Sequence, residues 1–209
     1  MSAITVLGIA GSEREDSRAR TALQVALKAA RKAGAKVEVL DVSNLDGRAS
    51  TVHDLPQDEV ADRVGTAVAN ADALIVATPT FHGGISGPLR AILESIPNDA
   101  IAGKATALVS VTGGSAERGD PLEPLRQQLQ GLRAWVVPNR AVVPFAFRAF
   151  DRAGNPTDPQ VRERLETVGR EVARYGRLLQ EMRPAGPVTV PAVASAETSV
   201  VMPRGRRAS

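Results

Sequence analysis

Residues 4–17 read Ile4-Thr5-Val6-Leu7-Gly8-Ile9-Ala10-Gly11-Ser12-Glu13-Arg14-Glu15-Asp16-Ser17. The first six are mostly apolar and predict a buried strand. The last seven form a short polar loop, and an Ala/Leu-rich stretch with helical spacing follows it. A strand that leads through a polar loop into a helix is the opening unit of an α/β sheet. This stretch therefore indicates the fold class.

The polar loop also predicts an anion site. It offers hydroxyls at Ser12 and Ser17, a guanidinium at Arg14 and the free N–H groups of a helix start. Those backbone donors and the helix dipole attract an anion, and the side chains can add charge-assisted bonds to a phosphate monoester. The loop has neither the G-x-G-x-x-G pattern nor the Gly-Lys-Ser/Thr of a P-loop. The alternative is a plain helix start with a capping serine and a surface arginine.

The rest of the chain alternates in the same way. Apolar runs predict strands at Ile4–Ile9, Val37–Val42, Ala73–Ala77, Ala105–Val111 and Trp135–Phe145, the last interrupted at Pro138-Asn139. Helical spacing predicts helices around Ala19–Ala30, Val60–Val68, Leu89–Ile96, Leu122–Leu132 and Val161–Leu179. This alternation predicts a parallel sheet with helices on both faces, in which ligands bind beyond the carboxyl ends of the strands. The loops after the first, third and fourth strands should therefore share one edge.

Composition limits the class of protein. The chain has 209 residues, 43% of them apolar and 23% charged, which suits one globular domain over residues 1–183. Residues 184–209 are rich in Pro, Ala and Ser and predict a flexible tail. The tail holds three arginines and one glutamate, so it carries +2 of the formal charge of +3. The nearly neutral body argues against nucleic acid as a partner.

The cysteine and histidine content limits the catalytic and metal-binding chemistry that this chain can perform. The absence of cysteine excludes disulfides and thiolate catalysis and suits the cytoplasm, and two histidines argue against a metal site. No apolar run reaches the length of a membrane span, and no secretory leader precedes the first strand. We therefore expect a cytoplasmic protein without a bound metal and without a membrane partner.

Two further loops are rich in glycine. Residues 78–90 contain Gly83, Gly84 and Gly87, which let the backbone approach a flat ligand, although a turn capped by Ser86 is the simpler interpretation. In this loop Phe81 could pack near a ring edge or hold the loop down. A structural hydrogen-bonding role for His82 is favoured over a chemical one. The last of these loops, residues 112–115, would expose N–H and C=O groups to the edge of a heterocycle, or it is a plain connection.

Together the three loops resemble those of the NADPH-dependent FMN reductase family. The family's Gly-Ser-x-Arg-x-x-Ser motif is matched by Gly11, Ser12, Arg14 and Ser17. Its Pro-x-Tyr-x-x-x-x-x-Gly-x-Leu-Lys segment is matched by Pro79, Phe81, Gly87, Leu89 and Arg90, with Phe for Tyr and Arg for Lys. Its Gly-Gly turn is matched by Gly113-Gly114. The resemblance covers residues 3–180. The segment from Leu74 to Gly114 most resembles the reductases of two-component alkanesulfonate monooxygenase systems.

This resemblance implies a fold and a site. The fold is a flavodoxin-like three-layer sandwich, a five-stranded parallel sheet of order 2-1-3-4-5 with helices on both faces. Ser12, Arg14 and Ser17 would hold the FMN phosphate, with Arg18 compensating for an asparagine of the family that is Ala19 here. One side of the isoalloxazine would be lined by Pro79, Thr80, Phe81, His82 and Gly83, and its pyrimidine edge by Thr112, Gly113, Gly114 and Ser115.

The resemblance also implies an activity. A nicotinamide of NADPH or NADH would pass hydride to N5 of FMN, without a catalytic side chain, and reduced FMN would serve a flavin-dependent monooxygenase. A homodimer or homotetramer is implied. Residues 122–125 lack the aromatic residue of that branch, so shuttled flavin and bound flavin both stay open. The alternatives are a bound-FMN quinone, azo or nitro reductase, and a non-catalytic flavodoxin-type electron carrier or flavin-binding protein.

Overall fold

The computed structural model describes residues 3–14, 16–45, 54–97, 99–115 and 122–182. Its strands are β1 (Thr5–Ala10), β2 (Lys36–Asp41), β3 (Ala73–Pro79), β4 (Ala105–Val111) and β5 (Trp135–Val143). Its helices are α1 (Arg18–Lys32), α2 (Gln57–Asn70), α3 (Gly87–Glu94), α4 (Leu122–Gly131) and α5 (Pro159–Met182). The predicted tail at 184–209 lies outside the described residues, and the domain boundary at 183 stays a prediction.

The five strands form one parallel sheet in the order β2-β1-β3-β4-β5, which confirms the predicted fold. The predicted interruption in β5 is also present. Thr106 pairs with Val136, whereas Leu108 pairs with Arg140, so residues 137–139 bulge opposite a single residue of β4. Because Pro138 has no N–H to donate, this position suits a bulge at an edge strand.

Two apolar clusters cover the sheet. On one face α1 and α5 contribute buried side chains such as Leu23, Ala26 and Leu165. On the other face α2, α3 and α4 contribute Val64, Ile92 and Leu125, among others. All of β4 and nearly all of β3 are buried, as expected for central strands covered on both faces.

A glycine permits the close packing of α1 on α5. A Cβ atom on Gly169 would lie 2.0 Å from the carbonyl oxygen of Ala26 and 3.0 Å from the Cβ of Ala29. No larger residue fits there unless the two helices separate. Because all five strands are parallel, the loops that follow β1, β3, β4 and β5 lie at the same edge of the sheet, which is where the candidate site forms.

Among the helices that the structure describes, none combines the length and apolar character needed to cross a membrane.

Candidate functional site

The loop after β1 packs tightly against the end of β3 and the start of α3. The N–H of Gly11 donates to the carbonyl oxygen of Ala77 at 2.8 Å. A Cβ atom on Gly11 would lie 2.8 Å from the Cβ of Leu89 and 3.1 Å from the Ala77 oxygen. Glycine is therefore required at the first position of the polar loop.

Ser86 joins this loop to the loop after β3. Its hydroxyl donates to the carbonyl oxygen of Gly11 and accepts from the N–H of Leu89 at 3.3 Å. Its own N–H donates to Oγ1 of Thr78 at 3.2 Å, and the three groups are buried. The interpretation of Ser86 as a helix cap is thus confirmed, and the same residue also connects two of the predicted ligand loops.

The two predicted phosphate-binding serines lie in the loop between β1 and α1, and Ser17 is the residue at the start of the helix. Ser12 is 7% exposed and Ser17, the N-cap of α1, is 6% exposed. Oγ of Ser12 accepts from the N–H of Arg14, and Oγ of Ser17 accepts from the N–H of Arg20, both at 3.4 Å. These bonds use oxygen lone pairs, so each hydroxyl keeps its proton for another acceptor. A phosphate oxygen at the helix start is such an acceptor.

Arg14 has a partner that the sequence did not indicate. Its guanidinium makes two bonds to the Asp16 carboxylate, with Nε at 3.1 Å from Oδ1 and Nη2 at 3.2 Å from Oδ2. The hydrogen bond from Arg14 holds the pKa of Asp16 below its usual value, and the same bond raises the pKa of Arg14. Both side chains are 76% exposed, so a phosphate would compete with Asp16 for Arg14 at the surface. Arg18, the first residue of α1, is half-buried.

The loop after β3 begins with a tight turn. Phe81 and Gly84 exchange two backbone hydrogen bonds, at 3.1 and 2.9 Å. Between them His82 has φ of 51° and Gly83 has φ of 78°, the left-handed pair that closes a two-residue hairpin. The side chains of Phe81 and His82 are exposed as a result. Phe81 therefore does not hold the loop down, and it remains available to a ligand.

Thr80 carries an unsatisfied polar atom. Its N–H donates to the carbonyl oxygen of Val111 at 2.8 Å, which joins the loop after β3 to the end of β4. Its Oγ1 is shielded from solvent and has no hydrogen-bond partner. A buried hydroxyl without a partner costs free energy and is a position where a ligand can supply the missing bond. Pro79, the preceding residue, is the last of β3 and pairs with Val111.

The loop after β4 leaves open space at one glycine. The N–H of Gly114 donates to Oγ1 of Thr112 at 3.4 Å, and the N–H of Thr112 donates to the Val143 carbonyl at 2.9 Å. A Cβ atom on Gly113 would meet no other atom within 4 Å. Ser115 is half-buried. The arrangement leaves a space beside the Gly113 backbone that a planar ring could occupy.

The described residues therefore fit FMN. The serine protons and the start of α1 suit its phosphate, while the Thr80 hydroxyl and the space at Gly113 suit a planar heterocycle. The structure brings the three predicted loops together through the Gly11–Ala77, Ser86–Gly11 and Thr80–Val111 hydrogen bonds. The sequence favours solvated roles for His53 and Arg118, and both positions lie outside the described residues.

One element of this edge was missed by sequence reasoning. The segment after β5 pairs with the loop after β4, since the N–H of Phe145 donates to Gly114 and that of Ala146 to Thr112, at 3.0 and 2.9 Å. The guanidinium of Arg148 lies 4.7 Å from the ring centroid of Phe145 and 5.9 Å from that of Phe147. The available signal was the presence of two phenylalanines and an arginine at the carboxyl end of a strand, on the edge where ligands bind.

Comparison with known proteins agrees with this geometry. The chain is 26% identical over 194 residues to the NADPH-dependent FMN reductase ArsH of Shigella flexneri, covering 87% of this chain and 72% of that protein. It is 29% identical over 167 residues to an NAD(P)H-dependent FMN reductase of Pseudomonas aeruginosa, covering 78% and 90%.

A solved structure shows the same fold. The flavoenzyme NAD(P)H:(acceptor) oxidoreductase FerB of Paracoccus denitrificans superposes with a TM-score of 0.64 at 18% identity, covering 84% of this chain and 98% of that one. The model of the NADPH-dependent FMN reductase family matches residues 4–148, which include all three ligand loops. The chain belongs to the NADPH-dependent FMN reductase family.

Proposed function

We propose that this protein reduces FMN with NADPH or NADH as the hydride donor and releases the reduced flavin to a flavin-dependent monooxygenase. The observation that carries the FMN part is the loop from β1 to the start of α1, where two nearly buried serine hydroxyls keep their protons for an anion. Family membership supports the reductase activity.

Each loop has a distinct role in this proposal. Ser12, Ser17, Arg14 and Arg18 bind the phosphate, and the helix dipole of α1 adds a favourable field. The isoalloxazine lies between Pro79–Gly83 on one side and Thr112–Ser115 at its pyrimidine edge, where backbone N–H groups stabilise negative charge. When bound, FMN supplies the chemistry of hydride acceptance from a nicotinamide. No side chain of the protein is assigned as an acid or base.

Release of flavin is supported by the exposure of Arg14. A phosphate held partly by an exposed guanidinium, for which Asp16 competes, is held less firmly than one that is fully enclosed. This suits a flavin that leaves after reduction. We further propose that the acceptor is a monooxygenase of the two-component alkanesulfonate type, and that the protein acts in the cytoplasm as a homodimer or homotetramer.

The second candidate is a reductase that keeps FMN bound and transfers electrons to a quinone, an azo dye or a nitro compound. It is favoured by α4, whose first turn presents Leu122 and Leu125 to the core and carries no aromatic side chain. An electron carrier is less favoured, because its surface would usually be acidic and the described domain is close to neutral.

The first experiment titrates the purified protein with FMN and then adds NADPH or NADH without oxygen. Binding of FMN and rapid bleaching of its absorbance are expected. Turnover of excess free FMN indicates a shuttled flavin, whereas turnover only with a quinone or azo dye indicates the second candidate. Binding of FMN without bleaching by either nucleotide contradicts both enzymes.

The phosphate loop is tested with Ser12→Ala and Ser17→Ala. Loss of one hydrogen bond to a charged group weakens binding by about tenfold to a hundredfold. Riboflavin, which lacks the phosphate, should bind each variant and the parent protein equally. Ser95→Ala is the matched control, because the hydroxyl of Ser95, the C-cap of α3, bonds to the Ala91 carbonyl at 2.8 Å. Equal FMN affinity in all four proteins contradicts the assignment.

A further inference from the structure

Phe145, Phe147 and Arg148 form a surface beyond β5 that we call the β5 platform. Three phenylalanines lie between positions 145 and 150, and the core uses one of them, since Phe150 is 5% exposed. By contrast Phe147 is 68% exposed, and Phe145 is also exposed. Core packing does not explain these exposed rings, and exposed apolar surface of this kind marks a binding site.

The backbone of the platform is held in a rare conformation. Phe145 has φ of 47°, in the left-handed region that a bulky aromatic residue seldom adopts. Its N–H bonds to the Gly114 carbonyl at 3.0 Å, and the N–H of Arg148 bonds to the Phe145 carbonyl at 3.0 Å. Such strain persists only where surrounding bonds maintain it, and it is concentrated at functional sites. The platform is thereby fixed to the loop that we assign to the pyrimidine edge of FMN.

The N–H donors of the Arg148 guanidinium are available to a ligand. Its guanidinium contacts the rings of Phe145 and Phe147, which meet edge-to-face with centroids 6.4 Å apart. Within the part of the chain that the structure describes, its side chain makes no hydrogen bond and no ion pair. Cation–π contact orients a guanidinium without using its N–H donors in the guanidinium plane, so these stay available to an anion.

An anion at Arg148 would be distinct from the FMN phosphate. In the sheet order, β1 and β5 are separated by β3 and β4, which makes three inter-strand steps. At about 4.8 Å per step their ends lie about 14 Å apart. The start of α1 follows β1 and the platform follows β5, so an anion held by Arg148 would lie apart from the FMN phosphate, with the flavin loops between them.

We propose that the β5 platform binds the adenosine end of the nicotinamide nucleotide, with Arg148 receiving the 2′-phosphate of NADPH. The adenine is a planar base that stacks on an exposed ring, and the phosphate monoester accepts paired N–H bonds from a guanidinium. NADH lacks this phosphate, so the platform selects NADPH. The inference rests on the proposed function, because it supplies the second substrate of that reaction.

The probe is 2′,5′-ADP, which carries the adenine and the 2′-phosphate but no nicotinamide, and 5′-AMP is its comparison. Isothermal titration of the FMN-loaded protein should show tighter binding of 2′,5′-ADP. Arg148→Leu should weaken binding of 2′,5′-ADP by at least about tenfold, as expected for loss of a charged hydrogen bond, and leave 5′-AMP unchanged. Phe147→Ala should weaken both probes. Arg152→Leu, at an exposed position four residues along, is the matched control.

Kinetics give a second readout. Arg148→Leu should raise the KM for NADPH towards that for NADH and leave kcat nearly unchanged, and Arg148→Lys should retain part of the preference. If folded Arg148→Leu binds 2′,5′-ADP as the parent protein does, the inference is wrong even though FMN binding and bleaching are intact. If FMN fails to bind while Arg148 still controls 2′,5′-ADP affinity, the proposed function fails and the nucleotide site stands.

Discussion

The hydroxyl of Ser86 donates a hydrogen bond to the carbonyl oxygen of Gly11, a residue 75 positions earlier in the chain. The N-cap of α3 thus also holds the phosphate loop. Ser86→Ala removes the cap of the Leu89 N–H and leaves the Gly11 carbonyl without this donor. We expect a loss of about 2 to 4 kcal/mol in the free energy of unfolding, and weaker FMN binding as the loop relaxes.

Urea unfolding and FMN titration measure these two effects. Ser95→Ala removes a hydroxyl from the C-cap of the same helix, but the Ala91 carbonyl keeps its bond from the Ser95 N–H, so this control should lose less than about 1 kcal/mol. Equal free energies of unfolding for the two variants would show that the Ser86–Gly11 hydrogen bond makes no net contribution to stability.

Gly113 and Gly87 make a matched pair for the space at the pyrimidine edge. A Cβ atom meets nothing within 4 Å at either residue, and neither has a left-handed φ. Alanine at either position should therefore leave the free energy of unfolding unchanged or raise it by up to about 1 kcal/mol. Gly113→Ala should weaken FMN binding by about tenfold, because the methyl group enters space assigned to the ring, as in an overpacked core. Gly87→Ala should bind FMN as the parent protein does. If Gly87→Ala weakens FMN binding and Gly113→Ala does not, the flavin ring does not lie beside Gly113.

Thr80 and Ser110 each bury a side-chain oxygen that has no hydrogen-bond partner. Thr80→Val and Ser110→Ala remove these oxygens with little change in shape, so the ligand-free protein should keep or gain stability, by up to about 2 kcal/mol. Their effects on FMN should differ. Thr80→Val should weaken binding by about twofold to tenfold through loss of one neutral hydrogen bond, and Ser110→Ala should not. Calorimetric Tm and FMN titration test both statements.

The strands were the most predictable part of the molecule. The bounds of β4 were predicted to the residue, because Ala105–Val111 is apolar and buried on both faces. The end of β5 was predicted two residues late. Phe145 continues the apolar pattern, yet its N–H bonds to the distant Gly114 carbonyl and its φ is positive, so the strand ends at Val143. Periodicity along the chain carries no information about such a long-range bond.

The candidate site was predictable as far as its loops. Residue types and the resemblance selected the three segments, and the common edge followed from the parallel sheet. The pairing of Arg14 with Asp16 was missed, since it depends on how the loop turns between them. The link from Ser86 to Gly11 was also missed, because a cap predicted from local sequence gives no indication of its second partner.

Asp16 and the FMN phosphate compete for the Arg14 guanidinium in the proposed site. Asp16→Asn removes the competitor for Arg14 and one negative charge beside the phosphate, so FMN should bind about twofold to fivefold more tightly, as for an exposed ion pair. Riboflavin should bind equally to both proteins, and added salt should reduce the gain. Asp62→Asn, which changes an exposed carboxylate on α2, is the control. Weaker FMN binding by Asp16→Asn would instead show that Asp16 holds Arg14 in its binding position.

The pH dependence of this pair has a definite sign. The pKa of Asp16 is lowered in the folded protein, chiefly by the hydrogen bond from Arg14. Its contribution to stability is therefore complete above the unfolded-state pKa of about 3.9, and is lost as pH falls through the lower folded value. Between pH 5 and 8 Asp16 stays charged, so the affinity ratio of Asp16→Asn to the parent protein should vary little. Both proteins should bind FMN less tightly once the phosphate of FMN takes up a proton, at about pH 6. FMN titrations across that range measure the ratio. A ratio that falls to one at pH 5 would mean that Asp16 becomes protonated well above its usual pKa, against the effect of its bond to Arg14.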